Sequence, residues 1–233
     1  MHVARATSCS AVLLAAWLLS SPPVPAQGPV SAPGDTVVVF AVGYVETRSD
    51  AAGQARAALA AYRDAARKQS GSVEVFEQVG RPGHFAIFER WRDQAALDAR
   101  DSAARQKLLA ALEPVRVSGY DERPYKNLST APYTAATERR SVYVITHVDV
   151  APDPRVAPML VRLAEAGRKE PGNLRFDVVQ HTMRANHFTV IEHWRDHQAL
   201  DAHVAAQATR QYRDELQPLT GSPLDERVYE AVE

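Results

Sequence analysis

The stretch from His187 to His203, HFTVIEHWRDHQALDAH, restates the stretch from His84 to Arg100, HFAIFERWRDQAALDAR, 103 positions earlier. Ten of the seventeen aligned positions are identical. A 233-residue chain that repeats itself at this spacing is built from two copies of one unit. The closing segments YDERPY and LDERVYE align at an offset of 104. The copies therefore differ by one residue in the second helix or its exit.

Each copy shows one order of patterns. TVVVFAVGYVE (Thr36 to Glu46) and SVYVITHVDV (Ser141 to Val150) have the apolar, β-branched character of a strand. A helical stripe follows, with Leu59, Tyr62 and Ala66 in copy one. In copy two the helix is expected from Asp153 as its cap, with Pro158 marking where its regular part begins. Two alternating strands come next, then a helix capped by Asp93 or Asp196, and a last strand. The result is β-α-β-β-α-β, the split βαβ arrangement of ferredoxin-like domains, in the α+β class. Such a unit has a bare sheet face. In strand one neither parity is polar, since Val37, Val39 and Ala41 alternate with Val38, Phe40 and Val42. A half-exposed sheet would show one polar parity. The two copies are therefore expected to pack sheet to sheet as an intramolecular α/β barrel. The expected boundaries are residues 36–125 for domain 1, 126–139 for a linker and 140–230 for domain 2.

Before the first copy, Arg5 precedes an apolar run, AVLLAAWLL, and Val24 and Ala26 occupy the −3 and −1 positions of a signal-peptidase site. Residues 1–26 read as a signal peptide and 27–35 as a leader, which implies an exported protein without stable membrane association. Formal net charge is −1 with acid and base interspersed, so nucleic acid is not an expected partner. The one cysteine, Cys9, lies in the signal, so the mature chain has no thiol chemistry. No glycine-rich phosphate loop, GxSxG or HExxH is present, and no cofactor or metal is expected.

THVDV at the end of a first strand, then EPGNLRFDVVQ, then NHFTVIEHWRDHQALDAH resemble the antibiotic biosynthesis monooxygenase family, and the resemblance runs through both copies. It implies a tandem dimeric α/β barrel. It also implies cofactor-independent oxidation of a small aromatic, phenol- or quinol-like substrate by dioxygen. Two alternatives stand beside that reading: a non-catalytic ligand-binding or stress-response protein, and a haem-binding or haem-degrading one. The haem-degrading members use an Asn, a Trp and a His where this chain carries His147, His203 and Arg213. The sequence leaves open whether tandem chains form a homo-oligomer.

Proton abstraction from a phenol needs a base, donors for the anion and a dry pocket. Six of the eight histidines lie in copy two, where His147, His193 and His203 replace Tyr44, Arg90 and Arg100 of copy one. Histidine titrates nearest neutrality, so copy two is the better candidate. The residues expected to act are His147, His203 and Glu192. Trp194, His187, His193, Tyr44 and Trp91 are expected to line the substrate. For several of them a structural role competes: a turn hydrogen bond for His84 and His187, helix anchoring for the tryptophans, and pairing with Arg123 or Arg227 for Glu89 and Glu192.

Overall fold

The computed structural model describes residues 38–68, 71–100, 102–133, 141–220 and 223–232, all within the unit Thr36–Glu233. The proposed signal peptide and leader lie outside the described residues. The first repeat contains β1 (Val39–Glu46), α1 (Ala52–Ala66), β2 (Gly71–Gln78), β3 (His84–Trp91), α2 (Gln94–Asp98), α3 (Ser102–Leu112) and β4 (Asp121–Ser129). The second contains β5 (Val142–Asp149), α4 (Val156–Gly167), β6 (Asn173–His181), β7 (His187–Trp194), α5 (His197–Val204), α6 (Gln207–Leu216) and β8 (Asp225–Ala231).

The eight strands close into one antiparallel barrel in the order β1-β3-β2-β8-β5-β7-β6-β4. Each repeat's last strand joins the two halves. β8 pairs with β2 (Phe76↔Ala231 to Gln78↔Tyr229), and β4 pairs with β6 (Tyr125↔His181 to Ser129↔Val178). Closure leaves no free sheet edge.

Successive residues of a strand face opposite sides, which explains the doubly apolar first strand. Phe40 and Val42 enter the barrel with Phe76, Phe88, Tyr143, Ile145, Ile191 and Tyr229. Val39, Ala41 and Val45 lie on the outer face beneath α1 and α3. The equivalent outer core of the second repeat is built from Val142, Val144, Leu160, Phe176, Val190 and Trp194.

Three local expectations are corrected. The second helix of each repeat is two helices, broken at Ala99–Arg100 and at Ala205–Ala206. α4 begins at Val156 rather than at Pro158. Pro158 falls in the first turn, where its missing N–H has no helical partner to lose, and Asp153 Oδ1 accepts from Arg155 N (2.8 Å). Lys126–Ser129, read as linker, form the end of β4, because the barrel needs those residues against β6. The Asp93 and Asp196 caps accept from Ala96 N (2.7 Å) and Ala199 N (2.8 Å), as the sequence indicates.

In the RPG turn, Gly83 has φ +90°, and a Cβ there would meet Thr47 O at 2.8 Å. Gly167, which ends α4, is also demanded by packing. A Cβ would lie 2.4 Å from the Phe176 ring. Gly→Ala ordinarily favours a helix, but here the methyl group overfills a closed core. Gly167→Ala is expected to lower unfolding free energy by about 1–3 kcal/mol, as measured by denaturant titration.

Candidate active site on the outer face of the second repeat

The sheet divides the predicted site residues into separate groups. On β7 the even positions, Phe188, Val190, Glu192 and Trp194, face the helices. β7 lies between β5 and β6, so its carboxylate is buried under α5 and α6. Both repeats begin alike here. Trp194 Nε1 donates to Glu192 Oε2 (2.8 Å), and Trp91 Nε1 donates to Glu89 Oε2 (2.9 Å).

Beyond that bond the repeats diverge. In repeat one the Tyr62 hydroxyl donates to Glu89 Oε1 (2.9 Å). Arg100 reaches Glu89 at 3.3 Å and Glu122 at 2.7 Å, and Arg105 also holds Glu122 (2.7 Å). Thus Glu89 has three donors. In repeat two the buried positions of α4 put Leu163 where α1 has Tyr62. His203 replaces Arg100, and Arg213 pairs with Glu226 (2.9 Å) instead.

Glu192 therefore keeps the indole N–H, with His203 Nε2 at 3.6 Å. His203 Nδ1 is 2.9 Å from Glu170 Oε2, and the ring stacks on Trp194 (4.7 Å, 28°) with Phe176 at its edge. Thr209 Oγ1 lies 3.3 Å from Nδ1. The Tyr212 hydroxyl is buried nearby with no hydrogen-bond partner among the described residues, and the charge of Glu192 is felt there.

The electrostatics follow from this scarcity of partners. Burial pushes the Glu192 carboxyl up to about 8, against the lowering effect of the Trp194 bond. Burial also lowers His203, with Glu170 opposing. Near neutral pH the pair is a carboxylic acid beside a neutral imidazole. Donation of Nδ1–H to Glu170 leaves Nε2 as the basic nitrogen. Such a pair can take a proton at one atom and give one at another.

A pH dependence of stability follows. Glu192 is raised in the folded state, so its contribution is fully present below the unfolded carboxyl pKa and is lost as pH rises through about 8. His147 and His193 are both lowered to about 4, mainly by burial, so their contribution is lost in the opposite direction, as pH falls from about 6.5 to about 4. The difference in unfolding free energy between wild type and Glu192→Gln isolates the carboxyl. It is expected to move against the wild type between about pH 5 and 8, as read by denaturant titrations across pH.

The remaining predicted residues lie elsewhere. His147 and Tyr44 face the barrel side of the sheet, not the helix side, so His147 does not join His203 and Glu192. They pack edge to face (5.1 Å) at the mouth of the barrel, in a cavity of about 700 Å³. One haem cannot meet both His147 and His203, since the sheet separates them. His193 also faces the barrel interior, stacked on Tyr143 (4.0 Å) with Nδ1 3.1 Å from the Tyr133 hydroxyl. His84 N and His187 N donate to Arg81 O (3.1 Å) and Arg184 O (3.0 Å) of the preceding turns, as expected, while their Nδ1 atoms face the cross-strand carboxylates of Glu46 (3.4 Å) and Asp149. Trp91 and Trp194 end strands β3 and β7 and are fully buried, anchoring the helical layer. The expected pairing of Glu89 and Glu192 with Arg123 and Arg227 is overturned. Those arginines hold Asp121 (2.6 Å) and Asp225 (2.7 Å) at the barrel mouth, because their strand parity faces them away from the helices.

Glu170, Tyr212 and Thr209 were not legible as site residues. Glu170 sits in the irregular RKEPGN segment, and the other two look like ordinary positions of an amphipathic helix.

Fold and site together define a tandem ferredoxin-like α/β barrel with one modified buried carboxylate. The chain belongs to the antibiotic biosynthesis monooxygenase family, whose model matches residues 38–111 and 141–215. Among solved structures it is similar to two proteins described as "putative monooxygenase". The one from Fusobacterium nucleatum has a TM-score of 0.77 at 14% identity, over 85% of this chain and 94% of that one. The one from Lactobacillus acidophilus has a TM-score of 0.71 at 11% identity, over 84% and 95%. An anthrone oxidase-like protein has a TM-score of 0.66 at 14% identity, over 86% and 93%. At these identities the likeness is one of fold. No curated protein matches the chain.

Proposed function

We propose that the protein is an exported, cofactor-independent monooxygenase that oxidises a small phenol- or quinol-type aromatic with dioxygen at Glu170, His203 and Glu192. The observation that carries this reading is the contrast between repeats. The same Glu–Trp pair is tied down by an arginine and a tyrosine in repeat one and left beside a neutral histidine in repeat two. An acid with a pKa of about 8 operates efficiently near neutrality.

For a hydroquinone the reaction is quinol plus dioxygen to hydroxyquinone plus water. One oxygen atom bonds to a ring carbon, and the other leaves as water with two substrate hydrogens. The substrate loses four electrons and dioxygen gains four. His203 Nε2 accepts the phenol proton, and Glu170 stabilises the imidazolium, as an orienting carboxylate does in other nucleophile–base arrangements. The substrate anion reduces dioxygen to a ring-bound peroxide, Glu192 protonates its outer oxygen, and as the O–O bond breaks the hydrogen on the oxygenated ring carbon leaves as the second proton of the departing water. Transfer from His203 to Glu192 across 3.6 Å resets the pair. Phe176, Trp194 and His203 fill the space between sheet and helices, so substrate entry requires α5 and α6 to move outward.

The test is oxygen uptake by the purified full chain with a panel of hydroquinones. Substrate-dependent uptake of one dioxygen per quinol is expected. No uptake across the panel would overturn the assignment.

A further inference from the structure

The barrel mouth carries a second construction that the reaction above does not use. The cavity lies where the two repeats meet, and corresponding positions of both line it: Tyr44 with His147, Arg123 with Arg227, and Asp121 with Asp225. Its carboxylates are matched in pairs. Asp121 and Asp225 each take the Nε and Nη2 of the arginine two residues on, and Glu46 and Asp149 face His84 and His187. Each guanidinium also hydrogen-bonds the tyrosine two residues further on, Arg123 to Tyr125 and Arg227 to Tyr229.

The innermost pair departs from the symmetry. Tyr44 has a hydroxyl buried without a hydrogen-bond partner among the described residues, beneath the Arg123 guanidinium (5.6 Å from its ring). His147 has Nδ1 on Thr189 Oγ1 (3.2 Å), which leaves Nε2 as the nitrogen free for a ligand. Thr189 replaces Ala86 of the first repeat, so the hydroxyl that orients the ring occurs only on the histidine side. The fields of both arginines reach Tyr44 and His147 alike. A buried donor left unsatisfied is costly, and a bound acceptor would recover that cost.

We infer that this cavity is a binding site for a small planar monocarboxylate, its oxygens held between Arg123 and Arg227 with Tyr44 and His147 beneath. The recognition chemistry is that of guanidinium nitrogens and hydroxyl donors on a flat oxyanion. The two guanidiniums favour an anionic over a neutral ring of the same size. The site is on the opposite face of the sheet from Glu192 and does not depend on the monooxygenase reading.

Benzoate is a suitable probe, titrated by calorimetry into the full-length protein with phenol as the neutral control. One benzoate per chain is expected. Loss of one charge-assisted hydrogen bond in Tyr44→Phe is expected to weaken binding about tenfold, and Arg227→Gln by more. Glu192→Gln should leave the affinity unchanged. Circular dichroism and a thermal midpoint for each variant separate lost binding from lost fold. The inference is overturned if benzoate does not bind the wild type, if phenol binds as tightly, or if folded Tyr44→Phe and Arg227→Gln retain full affinity.

Discussion

Glu192→Gln is expected to reduce quinol-dependent oxygen uptake by about 10²–10⁴-fold, the usual contribution of a positioned acid–base group. The protein should remain folded. Glutamine has the shape of the protonated acid that burial favours at this position, and its carbonyl oxygen can still accept from Trp194 Nε1. The amide cannot deliver a proton to a leaving oxygen. His203→Gln should cause a loss of the same order, and the double variant little more, because the two side chains act as one unit. Retention of activity in Glu192→Gln would show that the acid has no chemical role.

The corresponding substitution in the first repeat is expected to do the reverse. Glu89→Gln removes the charge from a carboxylate that accepts from Tyr62, Trp91 and Arg100. Arg100 has a side chain only 15% exposed and would share Glu122 with Arg105 as its remaining anionic partner. Breaking a buried pair by removing one member typically costs about 3–5 kcal/mol. Retention of Glu122 puts the expected loss near the lower end, about 3 kcal/mol. Denaturant titration should show that loss, while oxygen uptake per folded molecule stays near wild type. The two substitutions separate structural from chemical use of one sequence position.

The fold was legible because its signals were local or periodic. The duplicated HF…E.WRD..ALDA stretch is a strand, a cap and a short helix in both copies, and its aspartates cap as written. The two apolar parities of β1 correctly required a core on each side of the sheet. The same alternation also divides the candidate site residues. Tyr143, Ile145 and His147 share the barrel face of β5, whereas Glu192 and Trp194 share the helix face of β7. Parity alone could have separated His147 from Glu192. Glu170 could not have been found that way, since the turn after α4 has no period from which to project its side chain onto His203.

The comparison of Glu89 with Glu192 also depended on information that the duplicated segment lacks. Their divergence comes from Leu163 in place of Tyr62, on helices whose aligned offset differs from 103, and from His203 in place of Arg100. Only the second exchange lies inside the repeat that draws the eye.

Whether Glu192 is an uncharged acid at neutral pH can be read by infrared spectroscopy. Difference spectra between wild type and Glu192→Gln should contain the carbonyl stretch of a protonated carboxylic acid at pH 7, disappearing as pH is raised through about 8. Absence of that band at pH 7, with only carboxylate stretches lost in the variant, would contradict the account.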